Sequence, residues 1–393
     1  MSPPPAPGHT APAYIIAARR TALGRIGGLH RARRLEDLTA PIIAAALADA
    51  RVSPHDVDEI VIGNTSQGGN PARLIALSAS LPETAPAMTI DSQCSSGLDA
   101  ILHAIRTITA GEAEVVVAGG ADSVSTAPWR IAKPKNLYQT PHFIGMEPGA
   151  DSRPDLPQPL EASEALAKRL GISRQAQDGF TMKSHLRAQT AREARRFVGE
   201  IVPLRANREE ARDESAIGPS LEDIENESSF SPPTGTLTMA NTSQPHDGAA
   251  VVVVVSEAVW KSLGQPPALR LVASAAQGVA PQAEADAPIA AMQKLYGRLN
   301  GFDRTAIRAV EMGETSAAQA IALMNAFGID DGLVNAEGGA VVRGHPMGAS
   351  GAVLVVRLFS RLVRRDGAER KGYGAVTQGA IGGLGLAALF EAV

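Results

Sequence analysis

The stretch IDSQCSSGLDAILHAI, residues 90–105, contains the only cysteine of the chain, Cys94. Leu98, Ile101 and Ile105 recur at three- and four-residue spacing after it, which predicts a helix that begins just behind the cysteine. The unpaired backbone N–H groups and the dipole of such a helix favour a thiolate at its N-terminus. This stretch alone leaves a buried structural cysteine open as the alternative.

The stretch RGHPMGASGA, residues 343–352, has a similar organisation in the C-terminal part of the chain. It overlaps the end of the apolar segment AVVRG, which we interpret as a strand, turns at Gly344, Pro346 and Gly348, and continues into a helix of small residues. The turn fixes the orientation of His345, so this histidine is a candidate base or oxyanion donor. Because both stretches consist of a strand, a turn with a reactive residue and a small-residue helix, we infer an internal duplication.

Length and composition restrict the class of protein. The chain has 393 residues, of which 44% are hydrophobic and 20% are charged, and the apolar run Val251–Val255 predicts a buried strand. A net charge of −4 without a long basic run argues against nucleic acid as a partner. A single cysteine cannot form an internal disulfide, which favours a cytoplasmic location. No apolar stretch reaches the roughly 18 residues of a membrane helix, and the eight histidines lack metal-ligand spacing, so we expect neither a membrane nor a metal as a partner.

The pattern along the chain predicts two α/β halves and an insertion. The Pro-rich residues 1–13 predict a disordered tail. We place the N-terminal half at residues 14–125 and 239–266, and the C-terminal half at residues 267–393. Residues 126–238 contain Pro-rich and charged segments together with amphipathic helical stretches, which predicts an inserted loop domain.

Several segments resemble those of thiolases, which make or break carbon–carbon bonds between acyl thioesters. NPARLIALSASLPETAPAMTIDSQCSSGLDAI resembles the region around their acyl-accepting cysteine, and EGGAVVRGHPMGASGA resembles their catalytic histidine motif. RRTALGRIGG, ASEALAKRLGISRQAQDGFTMKSHLRA and GTLTMANTSQPHDGAAVVVV resemble their N-terminal segment, their loop domain and the segment that re-enters the core. The resemblance covers residues 14–393 and implies a five-layered αβαβα thiolase fold built from two similar halves.

The resemblance also implies a reaction and a set of site residues. It implies that Cys94 takes up the acyl group while His345 activates the cysteine or binds the thioester oxygen. The positions that it implies for contacts with the substrate or coenzyme A are His185, Ser243, Gly344 and Gly379. The implied substrate is an acyl-CoA or acyl-carrier-protein thioester, with no further cofactor, and the implied assembly is a homodimer or homotetramer.

Two departures from the thiolase pattern affect the chemistry. In EMGETSAAQAIAL, Gly313 stands where thiolases have the asparagine of an Asn-Glu-Ala-Phe motif, and only Glu314 of that motif remains. In AVTQGAIGGLG, Gly379 stands where thiolases have a second cysteine, which moves the α-proton; a shift of one residue places Gln378 there. Because Cys94 is the only cysteine, the chain has no second thiol.

Three functions therefore stay open. The first is a thiolase-like acyltransferase with altered acid/base groups. In one form of this hypothesis a neighbouring residue such as Glu314 serves as the base, because burial can raise the pKa of its carboxyl. In the other form the acceptor needs no strong base, as with a malonyl-type thioester, an amine or an alcohol. The second is a conventional acetyl-CoA C-acetyltransferase or 3-ketoacyl-CoA thiolase. The third is a degenerate paralogue that binds an acyl thioester without turnover. A purely structural hydrogen-bond role for Glu314 is also open.

Overall fold

The computed structural model describes residues 11–145, 159–205, 211–216, 220–365 and 372–393. Residues 1–10 of the predicted disordered tail lie outside the described residues, and so do three segments of the predicted loop domain. The first strand begins at Ala13, one residue before the predicted start of the N-terminal half.

Strands and helices alternate over much of the described chain. The strands are β1 (Ala13–Arg20), β2 (Gly24–Arg25), β3 (Glu59–Gly63), β4 (Ala87–Ile90), β5 (Val115–Asp122), β6 (His246–Ser256), β7 (Leu269–Gly278), β8 (Ile307–Met312), β9 (Gly372–Ala380) and β10 (Leu384–Ala392). The helices are α1 (Leu35–Ala50), α2 (Pro71–Ser78), α3 (Ser96–Thr109), α4 (Pro159–Leu170), α5 (Arg174–Glu193), α6 (Leu221–Glu225), α7 (Glu257–Ser262), α8 (Ala287–Arg298), α9 (Ala317–Phe327), α10 (Ala340–Arg343) and α11 (Ser350–Leu362).

The strands follow one hydrogen-bonded order, which consists of two mixed sheets joined between β1 and β7, and β2 pairs with β6 outside this order. The first sheet has the order β4-β3-β5-β6-β1, and the second has the order β7-β10-β9-β8. In the first sheet β3 is parallel to β4 and β5, and in the second β8 is parallel to β9; the other neighbours are antiparallel. Tyr14 and Ile15 of β1 pair with β7, which joins the two sheets.

Alternation along the strands divides the core into layers. On β6, Val252 packs in a cluster with α3 and α11, whereas its neighbour Val253 packs with α1 and α2. On β9, Val376 packs with α3 and α11, whereas Ala375 packs with α8 and α9. Because successive side chains of a strand point to opposite faces, α3 and α11 form a layer between the two sheets. The predicted five-layered αβαβα order is therefore confirmed.

The two central helices touch through glycine at their N-terminal ends. A Cβ atom on Gly97 of α3 would lie 2.8 Å from the backbone nitrogen of Ala352. A Cβ atom on Gly351 of α11 would lie 2.6 Å from the backbone nitrogen of Leu98. Only glycine permits so close an approach of two backbones. This contact brings the turns that precede α3 and α11 to the same region of the molecule.

One predicted strand is wrong. The segment AVVRG contains the short helix α10, in which the N–H of Gly344 donates to the carbonyl of Ala340 at 2.9 Å. The N–H of Val341, in the first turn, donates to a carboxylate oxygen of Glu314 at 3.1 Å. The buried Glu314 carboxylate therefore supports a helical turn in this segment. The apolar pattern predicts a strand here, but it is too short to distinguish a helix from a strand. The inserted segment between β5 and β6 contains α4, α5 and α6.

Candidate active site

A cavity of about 460 Å³ lies between the two halves and the inserted helix α4. Residues of both halves line it, among them Cys94, Ser243, Glu284, His345, Gly379 and Ile381. Its volume is within the range of small-molecule sites in proteins. The cavity thus brings together the two reactive residues that the sequence places in different halves.

Cys94 sits in a sharp turn between β4 and α3. Gln93, directly before it, has a φ of 57°, in the left-handed region that a non-glycine residue rarely adopts. The carboxylate of Asp91 accepts the N–H of Gln93 at 3.0 Å and holds this turn. Cys94 is 7% exposed, and the backbone N–H of Ile381, from the other half, lies close enough to its sulfur to lower the pKa of the thiol.

The Cys94 thiol has a raised pKa, although the helix that begins behind it predicts a thiolate. Burial raises the pKa of the Cys94 thiol from 9.0 to about 12, and the carboxylates of Asp122 and Glu284 add to the rise. The N–H of Ile381 lowers this pKa, but by less than burial raises it. Loss of hydration has the largest influence on this pKa, so we expect Cys94 to rest as a neutral thiol at pH 7 and to lose its proton when it attacks.

His345 is held by backbone and side-chain hydrogen bonds. Its N–H donates to the carbonyl of Gln244 at 2.9 Å, and its carbonyl accepts the N–H of His246 at 3.0 Å. On the ring, Nδ1 is hydrogen-bonded to Ser350 Oγ at 2.7 Å, while Nε2 has no hydrogen bond to any residue that the structure describes. Burial, and to a lesser extent His246, lowers the pKa of His345 to about 4. The imidazole is therefore neutral at pH 7 and can accept a proton.

A buried carboxylate connects the turns around the two reactive residues. Asp122, at the end of β5, accepts the N–H of Gly348 at 2.8 Å and the hydroxyl of Thr65 at 2.7 Å. Gly348 lies three residues after His345, and Asp122 is close enough to Cys94 to raise the pKa of its thiol. Asp122 thus fixes the histidine turn relative to the half that contains the cysteine.

Two thiolase domain profiles together match nearly the whole chain. The sequence profile of the thiolase N-terminal domain matches residues 13–258, and that of the thiolase C-terminal domain matches residues 265–392. The chain belongs to the thiolase family. The predicted family is therefore confirmed.

Individual thiolases resemble the chain over nearly its whole length. The acetyl-CoA acetyltransferase of Cupriavidus necator is 35% identical to it over 96% of this chain and 98% of the relative. The crystal structure of the Bacillus anthracis acetyl-CoA acetyltransferase superposes with a TM-score of 0.88 at 30% identity, covering 98% of this chain and 100% of that one. Human mitochondrial 3-ketoacyl-CoA thiolase, solved in complex with CoA, superposes with a TM-score of 0.87 at 28% identity, covering 98% and 99%.

Gly313, the first departure from the family pattern, is in contact with Gln378, the residue before the second departure at Gly379. A Cβ atom on Gly313 would lie 2.1 Å from Oε1 of Gln378, so the Gln378 amide occupies the space that a side chain at position 313 would take. Gln378 is buried, and its Nε2 donates to the carbonyl of Gly379 at 2.7 Å. Its Oε1 has no hydrogen-bond partner within the described part of the chain. Gly313, Gln378 and His345 line a second cavity of about 20 Å³, which is large enough for one water molecule.

Glu314 lies behind the wall of the main cavity. Its side chain is 1% exposed, and burial raises the pKa of its carboxyl. Asn335 Nδ2 donates to Oε1, and the N–H of Val341 donates to Oε2, so each oxygen has a donor from the segment that leads to His345. A Cβ atom on Gly339 would overlap the carboxylate at 2.0 Å or less. Glu314 is not among the residues that line the main cavity, and its contacts are those of a positioning residue.

The predicted coenzyme A contacts fall into three groups. Ser243 and Gly379 line the main cavity. Gly344 lines the small cavity beside His345; its φ is +91°, and the ring of His246 fills the space where a side chain would be. His185, on α5, lines neither cavity, and burial lowers the pKa of its ring to about 4.

The sequence predicts no role for Glu284, which lines the main cavity, or for His246, which contacts the segment of His345. Glu284 lines the cavity, and its segment APQAEADAP contains nothing that distinguishes it from an exposed turn. His246 bonds the backbone of His345 and contacts Gly344; its sequence signal, PHDG, indicates only a turn.

Among the residues that the structure describes, no group of three His, Cys, Asp or Glu side chains could hold a metal ion. No helix in the described ranges is long and apolar enough to cross a membrane.

Proposed function

We propose that this thiolase is an acyltransferase that takes an acyl group from an acyl-CoA thioester onto Cys94. It then passes the acyl group to a second thioester by Claisen-type carbon–carbon bond formation. The observation that supports this most directly is the single cavity that Cys94 and His345 line from opposite halves. Cys94 is buried and His345 is partly buried, and hydrogen bonds fix both turns.

The first half-reaction follows from the charge states of the two residues. As the Cys94 sulfur attacks the thioester carbonyl, its proton moves to Nε2 of His345, the ring nitrogen without a protein partner. The carbon–sulfur bond to coenzyme A then breaks, and the departing CoA thiolate takes that proton from the imidazolium. The hydrogen bond between Nδ1 and Ser350 keeps the ring in one orientation throughout.

The names of the relatives favour coenzyme A over a carrier protein. They also favour direct condensation of two thioesters, so a conventional acetyl-CoA C-acetyltransferase is the second candidate function. The two candidates differ in the group that serves the second half-reaction, because the chain has no second cysteine. The homodimer or homotetramer stays a prediction.

Intact-protein mass spectrometry after mixing with acetyl-CoA and longer acyl-CoAs tests the proposal. We expect the mass to rise by one acyl group, and the rise to be absent in Cys94→Ala. Because the chain has no other cysteine, no second thiol can account for the adduct. Failure of acyl-CoA and acyl-carrier-protein thioesters alike to form the adduct would contradict the proposal and support the degenerate, non-catalytic paralogue.

A further inference from the structure

The second half-reaction needs a base that the family pattern does not supply here. Gly379 lines the cavity beside Cys94 but has no side chain. The space around it is also occupied, since a Cβ atom at this position would lie 3.0 Å from Cδ of Pro288. A group that removes the α-proton of the second thioester must therefore reach the cavity from another element.

Glu284 reaches the cavity from the turn that precedes α8. Its side chain is 7% exposed, and it lines the same cavity as Cys94, His345 and Gly379. The N–H of Gly382 donates to Oε2 at 2.9 Å, and no residue that the structure describes donates to Oε1. The neighbouring N–H of Ile381 lies close enough to the Cys94 sulfur to lower the pKa of its thiol, so adjacent backbone groups face the carboxylate and the thiol.

We infer that Glu284 is the acid/base residue of carbon–carbon bond formation, an inference that rests on the proposed function. Oε1 of the Glu284 carboxylate takes a proton from the α-carbon of the second thioester, and the C–H electron pair forms the enolate. The enolate carbon attacks the acyl carbonyl on Cys94; the new C–C bond forms, the C–S bond breaks, and the sulfur leaves as a thiolate. The proton on Glu284 passes to that thiolate, which restores the thiol and the carboxylate.

The surroundings of Glu284 suit both directions of this transfer. Burial raises the pKa of its carboxyl, with the N–H of Gly382 as the opposing influence, which makes it a stronger base than an exposed glutamate. The pKa of the Cys94 thiol lies at about 12, so the thiolate that leaves in the last step takes the proton back readily. Glu284 also lies close enough to Cys94 to raise the pKa of that thiol.

Glu314, the base that the sequence favours, is less suited to the step. Donors from Asn335 and Val341 occupy its two oxygens, and it lines neither the main nor the small cavity. These two hydrogen bonds oppose the rise of the Glu314 pKa that burial causes, and the side chain reaches neither cavity in which a substrate could lie. Glu284 has one oxygen bonded for orientation and one available to the substrate.

The test compares Glu284→Gln with Asp286→Asn. Glutamine keeps an oxygen that can accept the N–H of Gly382, so the turn should fold as before. Asp286 lies two residues away and pairs at 2.6 Å with the exposed Arg169, so its variant removes a charge from the same turn but outside the cavity. For each protein, we would measure the acyl adduct on Cys94 by mass, the exchange of acetyl-CoA α-protons in D₂O by mass, and the rate of condensation.

In Glu284→Gln we expect the Cys94 adduct to form as in the wild type, and α-proton exchange and condensation to fall by roughly 10²–10⁴-fold. Asp286→Asn should retain all three. Exchange at the wild-type rate in Glu284→Gln would overturn the inference, as would a wild type that is acylated but exchanges no α-proton. Loss of the adduct in Glu284→Gln would overturn it too, because Glu284 would then act in acylation. Absence of the adduct in the wild type would instead contradict the proposed function.

Discussion

Alkylation of Cys94 should be slow and should depend steeply on pH. Burial raises the pKa of this thiol from 9.0 to about 12. At pH 7 the thiolate fraction is then about one in 10⁵, compared with about one in 10² for an unperturbed thiol, so generic alkylation should be about 10³-fold slower. The same shift corresponds to about 4 kcal/mol of lost stabilisation of the anion relative to the thiol.

Iodoacetamide and intact-protein mass give a direct assay, because Cys94 is the only thiol in the chain. We expect the second-order rate constant to rise about tenfold per pH unit from pH 6 to pH 10 without a plateau. A free thiol of low molecular mass, measured in parallel, provides the reference for the reagent. His345→Asn should show the same slope, because the neutral imidazole does not hold the proton of the resting thiol.

A plateau in the rate near pH 7 would refute this reasoning. It would mean that the helix terminus and the N–H of Ile381 stabilise the anion by more than burial destabilises it, and that Cys94 rests as a thiolate. A plateau that disappears in His345→Asn would assign the stabilisation to a thiolate–imidazolium pair instead.

Further predictions concern the histidine and the departed positions. His345→Asn should slow acylation of Cys94 by roughly 10²–10⁴-fold in single-turnover mass measurements, and an unchanged rate would remove the ring from that step. The pKa of His345 is about 4 in the folded chain, and its reference value is 6.5. Between pH 4 and pH 6.5 the unfolded chain therefore binds a proton at His345 that the folded chain does not bind. The free energy of unfolding should therefore fall by about 3 kcal/mol from pH 7 to pH 4, and urea titrations should show a smaller fall in His345→Asn. Gly313→Ala should lower the free energy of unfolding by about 1–3 kcal/mol in the same titrations, because the new Cβ displaces the buried Gln378 amide. Adding Gln378→Ala to this variant should recover most of that loss. If the effects of the two substitutions simply add, the two residues are not in contact.

The sequence predicts those parts of the fold in which apolar residues recur at regular spacing or form a continuous run. Val251–Val255 predicts a buried strand and forms the centre of β6, because a strand covered on both faces requires continuous apolar side chains. The spacing of Leu98 and Ile101 predicts the start of α3 just after Cys94. AVVRG shows the limit, since a run this short fits either a strand or a buried helix until its hydrogen-bond partners are known.

The composition of the site is harder to predict, because side chains two residues apart can have opposite environments. Glu284 faces the cavity and Asp286 pairs with Arg169 near the surface, although both belong to one polar turn. The pattern treats Gly313 and the second position, which is Gly379 or by a shift of one residue Gln378, as two separate losses. In the structure, the N–H of Gly313 donates to the carbonyl of Thr377, so the two positions are neighbours on adjacent strands and one side chain fills the place of the other.

The glycine contact between α3 and α11 has a consequence for biosynthesis. The ribosome completes the segment with Cys94 well before the segment with His345, and the site cannot form until α11 has docked against α3. A nascent or partly unfolded chain therefore exposes an ordinary thiol that is open to oxidants and electrophiles but lacks the machinery for acylation. Docking of the second half buries the sulfur and places it in one cavity with His345, so its reaction with those reagents slows while acylation by thioesters becomes possible. If docking is slow or fails, Cys94 should be oxidised in a fraction of the chains. Peptide mass mapping would detect this oxidation and so measure the fraction of misassembled chains.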